Sequence, residues 1–156
     1  MFRHILVATD LTSVSRAALQ RADRLARDER ASLHVLHVVK DPATQPWAVE
    51  AFGVDLERVR AEACGKGRRA LSAATRRWPP ATRRMTIETK IGVPADEILQ
   101  YAKHHAIDLI VLGTHGRGRV ASAFLGSVSE RVLGHARCPV MIVCPGSTRR
   151  PGAAAA

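Results

Sequence analysis

The chain has 156 residues, of which 46% are apolar and 24% charged, the balance of a single soluble globular domain. No apolar run approaches the roughly 20 residues of a membrane span, and the first residues lack the apolar core of a signal peptide, so we expect a cytoplasmic protein. A net charge of +10 favours anionic partners. Because the arginines are scattered and aromatic residues make up only 4%, the composition argues against a nucleic-acid groove.

The first third of the chain predicts a strand, a helix and a second strand. Residues 4–10 form a short apolar run that ends in a carboxylate. A helical pattern follows, for which Thr12 or Ser13 is the expected N-cap. The valine-rich residues 32–39 predict the second strand, and the two prolines within residues 41–47 predict a loop after it.

A long helical pattern occupies the middle of the chain, from about residue 49 to residue 77. Two glycines, Gly65 and Gly67, should weaken its centre by ~1 kcal/mol each relative to alanine, and the two prolines of residues 78–80 end it. The helical spacing predicts an apolar side made of Leu56, Val59, Ala63, Ala70, Leu71 and Ala74.

The last part of the chain predicts three further strands and two helices. Residues 85–91, 109–112 and 139–143 are the expected strands. One helix opens with Pro94 near its first position, and residues 127–136 form the other. Strands that are almost wholly apolar and alternate with helices indicate a parallel sheet covered on both faces. The expected fold is therefore α/β, a single doubly wound, Rossmann-like sheet of five parallel strands.

A glycine-rich stretch, residues 113–127 with the sequence GTHGRGRVASAFLGS, follows the fourth strand. In a doubly wound sheet, ligands bind beyond the carboxyl ends of the strands, so this stretch should face the polar end of the first strand. Gly113 and Gly116 would permit positive φ and a close approach of backbone N–H groups to an anion. Gly126 and Ser127 lie where a helix N-terminus favours phosphate.

Residue types alone leave two interpretations of this stretch open. One is a phosphate site; the other is a surface loop whose Ser127 merely caps the helix. The sequence contains neither the P-loop pattern GxxxxGK[ST] nor the dinucleotide pattern GxGxxG. Arg117 and Arg119 lie inside the loop, where pairing with phosphate and exposure to solvent are both open.

The spacing of the glycines resembles a known motif. The stretch resembles the G-2x-G-9x-G-[S/T] motif of the ATP-binding branch of the universal stress protein family. The matching residues are Gly113, then Gly116 after two residues, and Gly126-Ser127 after a further nine. The segments ILVATD, LHVLHVV, GVPADEILQYA and CPVMIV resemble the family's first strand, second strand, a helix start and last strand. The resemblance implies strand order 3-2-1-4-5, a universal stress protein domain over residues 1–145, and a disordered tail over 146–156.

The resemblance also implies the roles of particular residues around a bound ATP. Asp10 would contact the ribose or a phosphate-bound Mg²⁺ or Mn²⁺, and Val38 would face adenine through its backbone. The complete set of implied nucleotide contacts is Ala8, Thr9, Asp10, Val38, Leu112, Gly113, Gly116, Gly126, Ser127 and Val128. A homodimer is implied through the last strand, with Val140, Met141, Ile142 and Val143.

Three functions are compatible with this sequence. The first is an ATP-binding stress-response or regulatory module, the second a slow metal-dependent ATPase, and the third an interaction or nucleic-acid-binding protein that uses its basic surface. Efficient hydrolysis needs charge stabilisation, usually from a lysine or an arginine finger with a metal. The glycine stretch holds no lysine, and Asp10 is the one carboxylate expected there. The residues therefore favour a binding module, with ATP, ADP, AMP and cyclic AMP all open as its ligand.

Overall fold

The structure, a computed structural model, describes residues 1–42, 55–76, 84–114 and 125–144. In chain order, the elements of these ranges are β1 (His4–Thr9), α1 (Ser13–Glu29), β2 (Ser32–Lys40), α2 (Leu56–Arg76), β3 (Met85–Gly92), α3 (Pro94–His104), β4 (Leu109–Gly113), α4 (Ser127–His135) and β5 (Val140–Val143). The predicted disordered tail and the residues expected to end the long helix lie outside the described residues.

The five strands form one parallel sheet in the order β3-β2-β1-β4-β5. This confirms the predicted doubly wound α/β fold and its strand order. The order reverses at β1, which pairs with β2 on one side and with β4 on the other. The register of β1 and β4 sets Ile5 opposite Leu109 and Val7 opposite Val111. The polar end of β1 and the start of the glycine stretch therefore lie side by side.

The sheet separates two apolar cores, because successive side chains of a strand point to opposite faces. Ile5 and Val7 pack on one face with α1 and with Leu71 of α2. Leu6 and Ile110 pack on the other face with α3 and α4. Both faces of the central strands are buried, which explains why their sequences are almost continuously apolar. In the described ranges, no helix combines the length and the apolar character that crossing a membrane requires.

The helix starts follow the sequence signals. Thr12 is the N-cap of α1, and its hydroxyl accepts a hydrogen bond from the Ser15 N–H at 3.4 Å. This resolves the choice between Thr12 and Ser13. Pro94 stands in the first turn of α3, as expected, and two acidic residues of the same turn suit the positive end of the helix dipole.

The apolar side predicted for α2 is partly wrong. Ala70 and Ala74 are exposed, and the buried positions are Gly67, Leu71 and Thr75, at intervals of four residues. A Cβ atom on Gly67 would lie 2.6 Å from Cγ2 of Val39. At Gly67 the helix thus approaches the sheet so closely that a side chain would collide with it, which the spacing of apolar residues could not reveal.

Candidate functional site

A cavity of about 320 Å³ lies at the carboxyl ends of β1, β2 and β4, where the strand order reverses. The starts of α1, α3 and α4 complete its walls. The residues predicted from sequence that line this cavity are Ala8, Thr9, Asp10, Val38, Leu112, Gly113, Gly126, Ser127 and Val128. Gly116 lies outside the described residues. The fold thus gathers residues from four separate parts of the chain around one space.

The walls of the cavity differ in character. Apolar side chains of β2 and α3, namely Leu36, Val38 and Ile98, supply one part of the lining. Hydroxyl and carboxylate groups supply another part, from the turn between β1 and α1 and from the first turn of α4. The polar lining residues are these, namely Thr9, Asp10, Thr12, Ser15, Ser127 and Ser129, together with Lys40 of β2. A ligand that fits both parts has an apolar, flat portion and a polar or anionic portion.

The turn between β1 and α1 is held by side-chain hydrogen bonds on both sides of Asp10. One carboxylate oxygen of Asp10 accepts hydrogen bonds from the Thr12 N–H at 3.0 Å and the Thr12 hydroxyl at 2.6 Å. Leu11 adopts a positive φ of 65°, and its N–H donates to the Thr9 hydroxyl oxygen at 3.0 Å. The Thr9 and Ser15 hydroxyls share a further hydrogen bond of 2.8 Å. Asp10 therefore faces the cavity on a constrained piece of backbone.

Gly113 is required by close packing. We predicted that it permits positive φ, and this is wrong, because the positive-φ glycines of the described residues are Gly92 and Gly126. A Cβ on Gly113 would lie 3.1 Å from the carbonyl oxygen of Val14 and 3.2 Å from Cα of Ser15. The end of β4 thus passes directly against the first turn of α1.

Gly126 is required by its backbone conformation, in contrast to Gly113. It is the N-cap of α4 with φ 79° and ψ 144°, a conformation that residues with a Cβ adopt at a cost. Among the described residues, a Cβ there would meet no atom within 4 Å. Ser127 is the first helical residue, and α4 has no side-chain cap, so the interpretation of Ser127 as a cap is wrong. Gly126 and Ser127, at the start of this helix, line the cavity.

Thr114 brings the two ends of the glycine stretch together. Its hydroxyl donates to the carbonyl oxygen of Leu125 at 3.5 Å, and its N–H donates to the carbonyl oxygen of Val143 at 3.1 Å. Residues 115–124, with Arg117 and Arg119, lie outside the described residues. The two segments predicted to face a phosphate are 113–116 and 126–127. Their described parts are therefore close in space, joined through Thr114 and Leu125.

Several lining residues were missed by the sequence analysis. Leu36 and Lys40 could have been found, because they alternate with Val38 along β2 and share its face. The α3 residues Pro94 and Ile98 carry no such signal, since only the packing of α3 over β2 brings them to the cavity. The missed residues are Thr12, Val14, Ser15, Leu36, Lys40, Pro94, Ile98, Leu125 and Ser129.

Charge is sparse in the cavity. Among the described lining residues, Asp10 is the one acid and Lys40 the one base. Next to Lys40, Asp41 accepts two hydrogen bonds from Arg60 of α2, at 3.0 and 2.8 Å. The described residues contain no group of three or more histidine, cysteine or carboxylate side chains that could hold a metal.

A buried polar cluster lies on the same face of β2 as the apolar wall. His34 Nδ1 is 3.0 Å from the Tyr101 hydroxyl of α3, and the His105 ring stacks on Tyr101 with 4.1 Å between centroids. Burial lowers the pKa of His34, and nearby His105 and His4 lower it further. Burial raises the pKa of Tyr101 to about 12, with a contribution from Glu88. This cluster joins β2 to α3.

A doubly wound parallel sheet with a cavity at the reversal of its strand order defines a Rossmann-like ligand-binding fold. The model of the universal stress protein family matches residues 1–144. The chain therefore belongs to the universal stress protein family.

Several relatives match over almost their whole length. The chain is 38% identical over 149 residues to a universal stress protein of Thermus aquaticus, covering 92% of this chain and 99% of that protein. It is 34% identical over 152 residues to universal stress protein YxiE of Bacillus subtilis, with the same two shares. The solved structure of UspA from Lactobacillus plantarum is 32% identical, covers 91% of this chain and 97% of its own, and superposes with a TM-score of 0.63.

A more distant structural relative was solved with a ligand. It is a universal stress protein in complex with cAMP, 21% identical to this chain and covering 91% of it and 97% of its own length. The two superpose with a TM-score of 0.59. At this identity, the likeness shows a common fold.

Proposed function

We propose that this protein binds ATP in the cavity and acts in the cytoplasm as a nucleotide-dependent stress-response or regulatory binding module. The observation that carries the proposal is the pairing, in one cavity, of an apolar wall with a helix N-terminus that has no side-chain cap. A volume of about 320 Å³ falls within the range of ~300–1,000 Å³ typical of small-molecule sites.

The apolar wall suits a flat heteroaromatic base. Leu36, Val38 and Ile98 offer apolar surface from two facing elements, and the backbone at the end of β2 can offer main-chain hydrogen bonds to the edge of adenine. Such an apolar wall selects a ligand by its shape more than by its charge. In this proposal Val38 meets the base, while Ala8, Thr9 and Leu112 border it.

The start of α4 suits the phosphates. The N–H groups of a helix's first turn and the helix dipole together favour an anion, and the Ser127 hydroxyl can donate one further hydrogen bond. Gly113 and Gly116 complete the proposed cradle from the other end of the glycine stretch. Asp10 would bind the ribose hydroxyls or a Mg²⁺ or Mn²⁺ ion carried by the phosphates, which would neutralise part of their charge.

The charges of the cavity favour binding over turnover. Phosphoryl transfer needs cationic groups positioned against the developing charge, and the one base among the described lining residues, Lys40, comes from β2 and not from the glycine stretch. The alternative is a slow metal-dependent ATPase. Steady, metal-dependent phosphate release that disappears in Asp10→Ala would favour that alternative. Salt-sensitive binding of DNA or RNA that ignores ATP would favour an interaction protein that uses its basic surface.

We further propose a homodimer through β5. In the described sheet β5 pairs with β4 alone, so its other edge offers unpaired backbone groups to a second copy. Val140, Met141 and Ile142 are half-buried in the single chain, and the strand contains no charge. The opposite edge strand, β3, carries Glu88 and Lys90, which protect an edge from pairing.

The identity of the nucleotide can be tested on protein purified from cells. The protein is denatured, and the small molecules that it releases are identified by mass spectrometry. ATP is the expected product. Release of cyclic AMP, the ligand of the distant relative, would assign a different nucleotide, and ADP or AMP would do the same. Protein that carries no nucleotide would count against ATP binding in the cell.

A further inference from the structure

His37 of β2 makes a hydrogen bond to the backbone at the end of β1. Its Nδ1 lies 2.8 Å from the carbonyl oxygen of Thr9, and Thr9 is its partner across the parallel pair. Because a carbonyl oxygen can only accept a hydrogen bond, Nδ1 must carry a proton. The neutral ring is therefore the Nδ1–H tautomer.

The bond acts on the peptide unit that joins Thr9 to Asp10. Its carbonyl belongs to Thr9 and its N–H to Asp10, so the ring controls the direction in which Asp10 leaves the strand. The following residue, Leu11, has a positive φ of 65°, which a leucine adopts only where its surroundings enforce it. The His37 hydrogen bond thus holds the backbone before Leu11. The hydrogen bonds between Asp10 and Thr12 hold the backbone after it.

Helix α2 holds the ring from the other side. A Cβ on Gly67 would lie 3.2 Å from Cδ2 of His37, so the glycine leaves space for the imidazole beneath the helix. The ring does not line the cavity among its described residues. Its effect on a ligand must therefore pass through the backbone of the turn.

We propose that His37 is a positioning residue that orients Asp10 towards the ribose and phosphate portion of a bound nucleotide; this inference rests on the proposed ATP site. The Nδ1–H group holds the Thr9 carbonyl, the peptide unit fixes the start of the turn, and Asp10 is presented to the cavity. The adenine wall, built from β2 and α3, does not depend on this bond.

Calorimetric titrations with ATP and with adenine compare the wild type with His37→Phe, which keeps a ring but removes the donor. Loss of one positioning hydrogen bond should weaken ATP binding about tenfold and leave adenine binding unchanged. His37→Asn, whose amide nitrogen replaces Nδ1, should restore most of the affinity. In an Asp10→Ala background, His37→Phe should have no further effect. Equal losses for ATP and adenine, or an undiminished loss in that background, would show a structural role and overturn the proposal.

Two measurements on the protein without nucleotide separate this inference from the proposed function. In ¹⁵N NMR spectra, neutral His37 should be the Nδ1–H tautomer, and the Nε2–H tautomer would overturn the proposal. The Leu11 and Thr12 amides, which donate to side chains of the turn, should exchange about tenfold faster in His37→Phe, while those of α3 do not change. Unchanged exchange at Leu11 and Thr12 would also overturn it. A wild type that shows these properties yet binds no ATP would refute the ATP site alone.

Discussion

Thr12 serves both the helix and the candidate site. Its hydroxyl oxygen accepts from the Ser15 N–H as the N-cap of α1, and the same hydroxyl donates to Asp10 at 2.6 Å. A single small side chain thus couples the stability of α1 to the orientation of Asp10, the one acid among the described lining residues. At the scale of the residue, the sequence predicted the cap from the residue type and position. It could not predict the bond to Asp10, which depends on the positive φ of Leu11.

Thr12→Ala should lower the free energy of unfolding by about 1 kcal/mol, because the cap of α1 is lost. Thr12→Ser, which keeps the hydroxyl, should stay within about 0.5 kcal/mol of the wild type. Urea denaturation monitored by circular dichroism measures both values. Equal stability of the alanine and serine variants would contradict the assigned capping role.

His34 should make the stability of the protein depend on pH. Its pKa in the folded state is lowered, so the folded protein binds fewer protons than the unfolded chain. Stability is then complete above the ordinary histidine pKa of about 6.5 and falls as pH drops from there through the folded pKa. The groups that face His34 are His4 on β1, and Tyr101 and His105 on α3. Glu88 and Lys90 on β3 lie next to Tyr101.

Urea denaturation at pH 7.5 and pH 5.5 tests this dependence. The wild type should lose more stability over that interval than His34→Asn, whose amide can bond to Tyr101 but does not titrate. Parallel losses in the two proteins would assign the pH dependence to other groups, such as the exposed histidines.

Helix α2 shows where element-scale prediction succeeds and where it stops. The spacing of apolar residues and the positions of prolines predicted every strand and helix that the structure describes, because these elements follow from local sequence pattern. The rules for connections between parallel strands then predicted the doubly wound fold. They did not predict that Gly67 packs against Val39 of the sheet or that Gly113 packs against α1. Both contacts depend on how closely two elements approach each other. The sequence alone does not distinguish a glycine required by close packing from one required by its backbone conformation.

The two central glycines of α2 should respond in opposite ways to alanine. Gly65→Ala should raise the free energy of unfolding by about 1 kcal/mol, because alanine favours the helix and its Cβ would meet only Arg69 at 3.5 Å. Gly67→Ala should lower it by about 1–3 kcal/mol, because Val39 would have to move. Thermal and urea unfolding compare the two variants directly. A stabilised Gly67→Ala would refute the close packing of α2 on the sheet.

At the scale of the whole molecule, the apolar edge of β5 determines the expected assembly. Light scattering after size exclusion should give about twice the 16.9 kDa mass of the chain. Ile142→Lys, which adds a charge at this edge, should give a monomer, whereas Ile87→Lys on the opposite edge strand should remain a dimer. A monomeric wild type, or dissociation by Ile87→Lys alone, would contradict pairing through β5.

Calorimetric titration of nucleotide-free protein with ATP is the most direct test of ATP binding through the start of α4. Gly126→Ala and Gly134→Ala provide a matched pair, because neither new Cβ would meet an atom of the described residues within 4 Å. Only Gly126 has a positive φ and lines the cavity. If the start of α4 binds the phosphates, the wild type and Gly134→Ala should each bind one ATP per chain. Gly126→Ala should bind ATP at least tenfold more weakly. No binding by the wild type, or equal affinity in all three proteins, would contradict it.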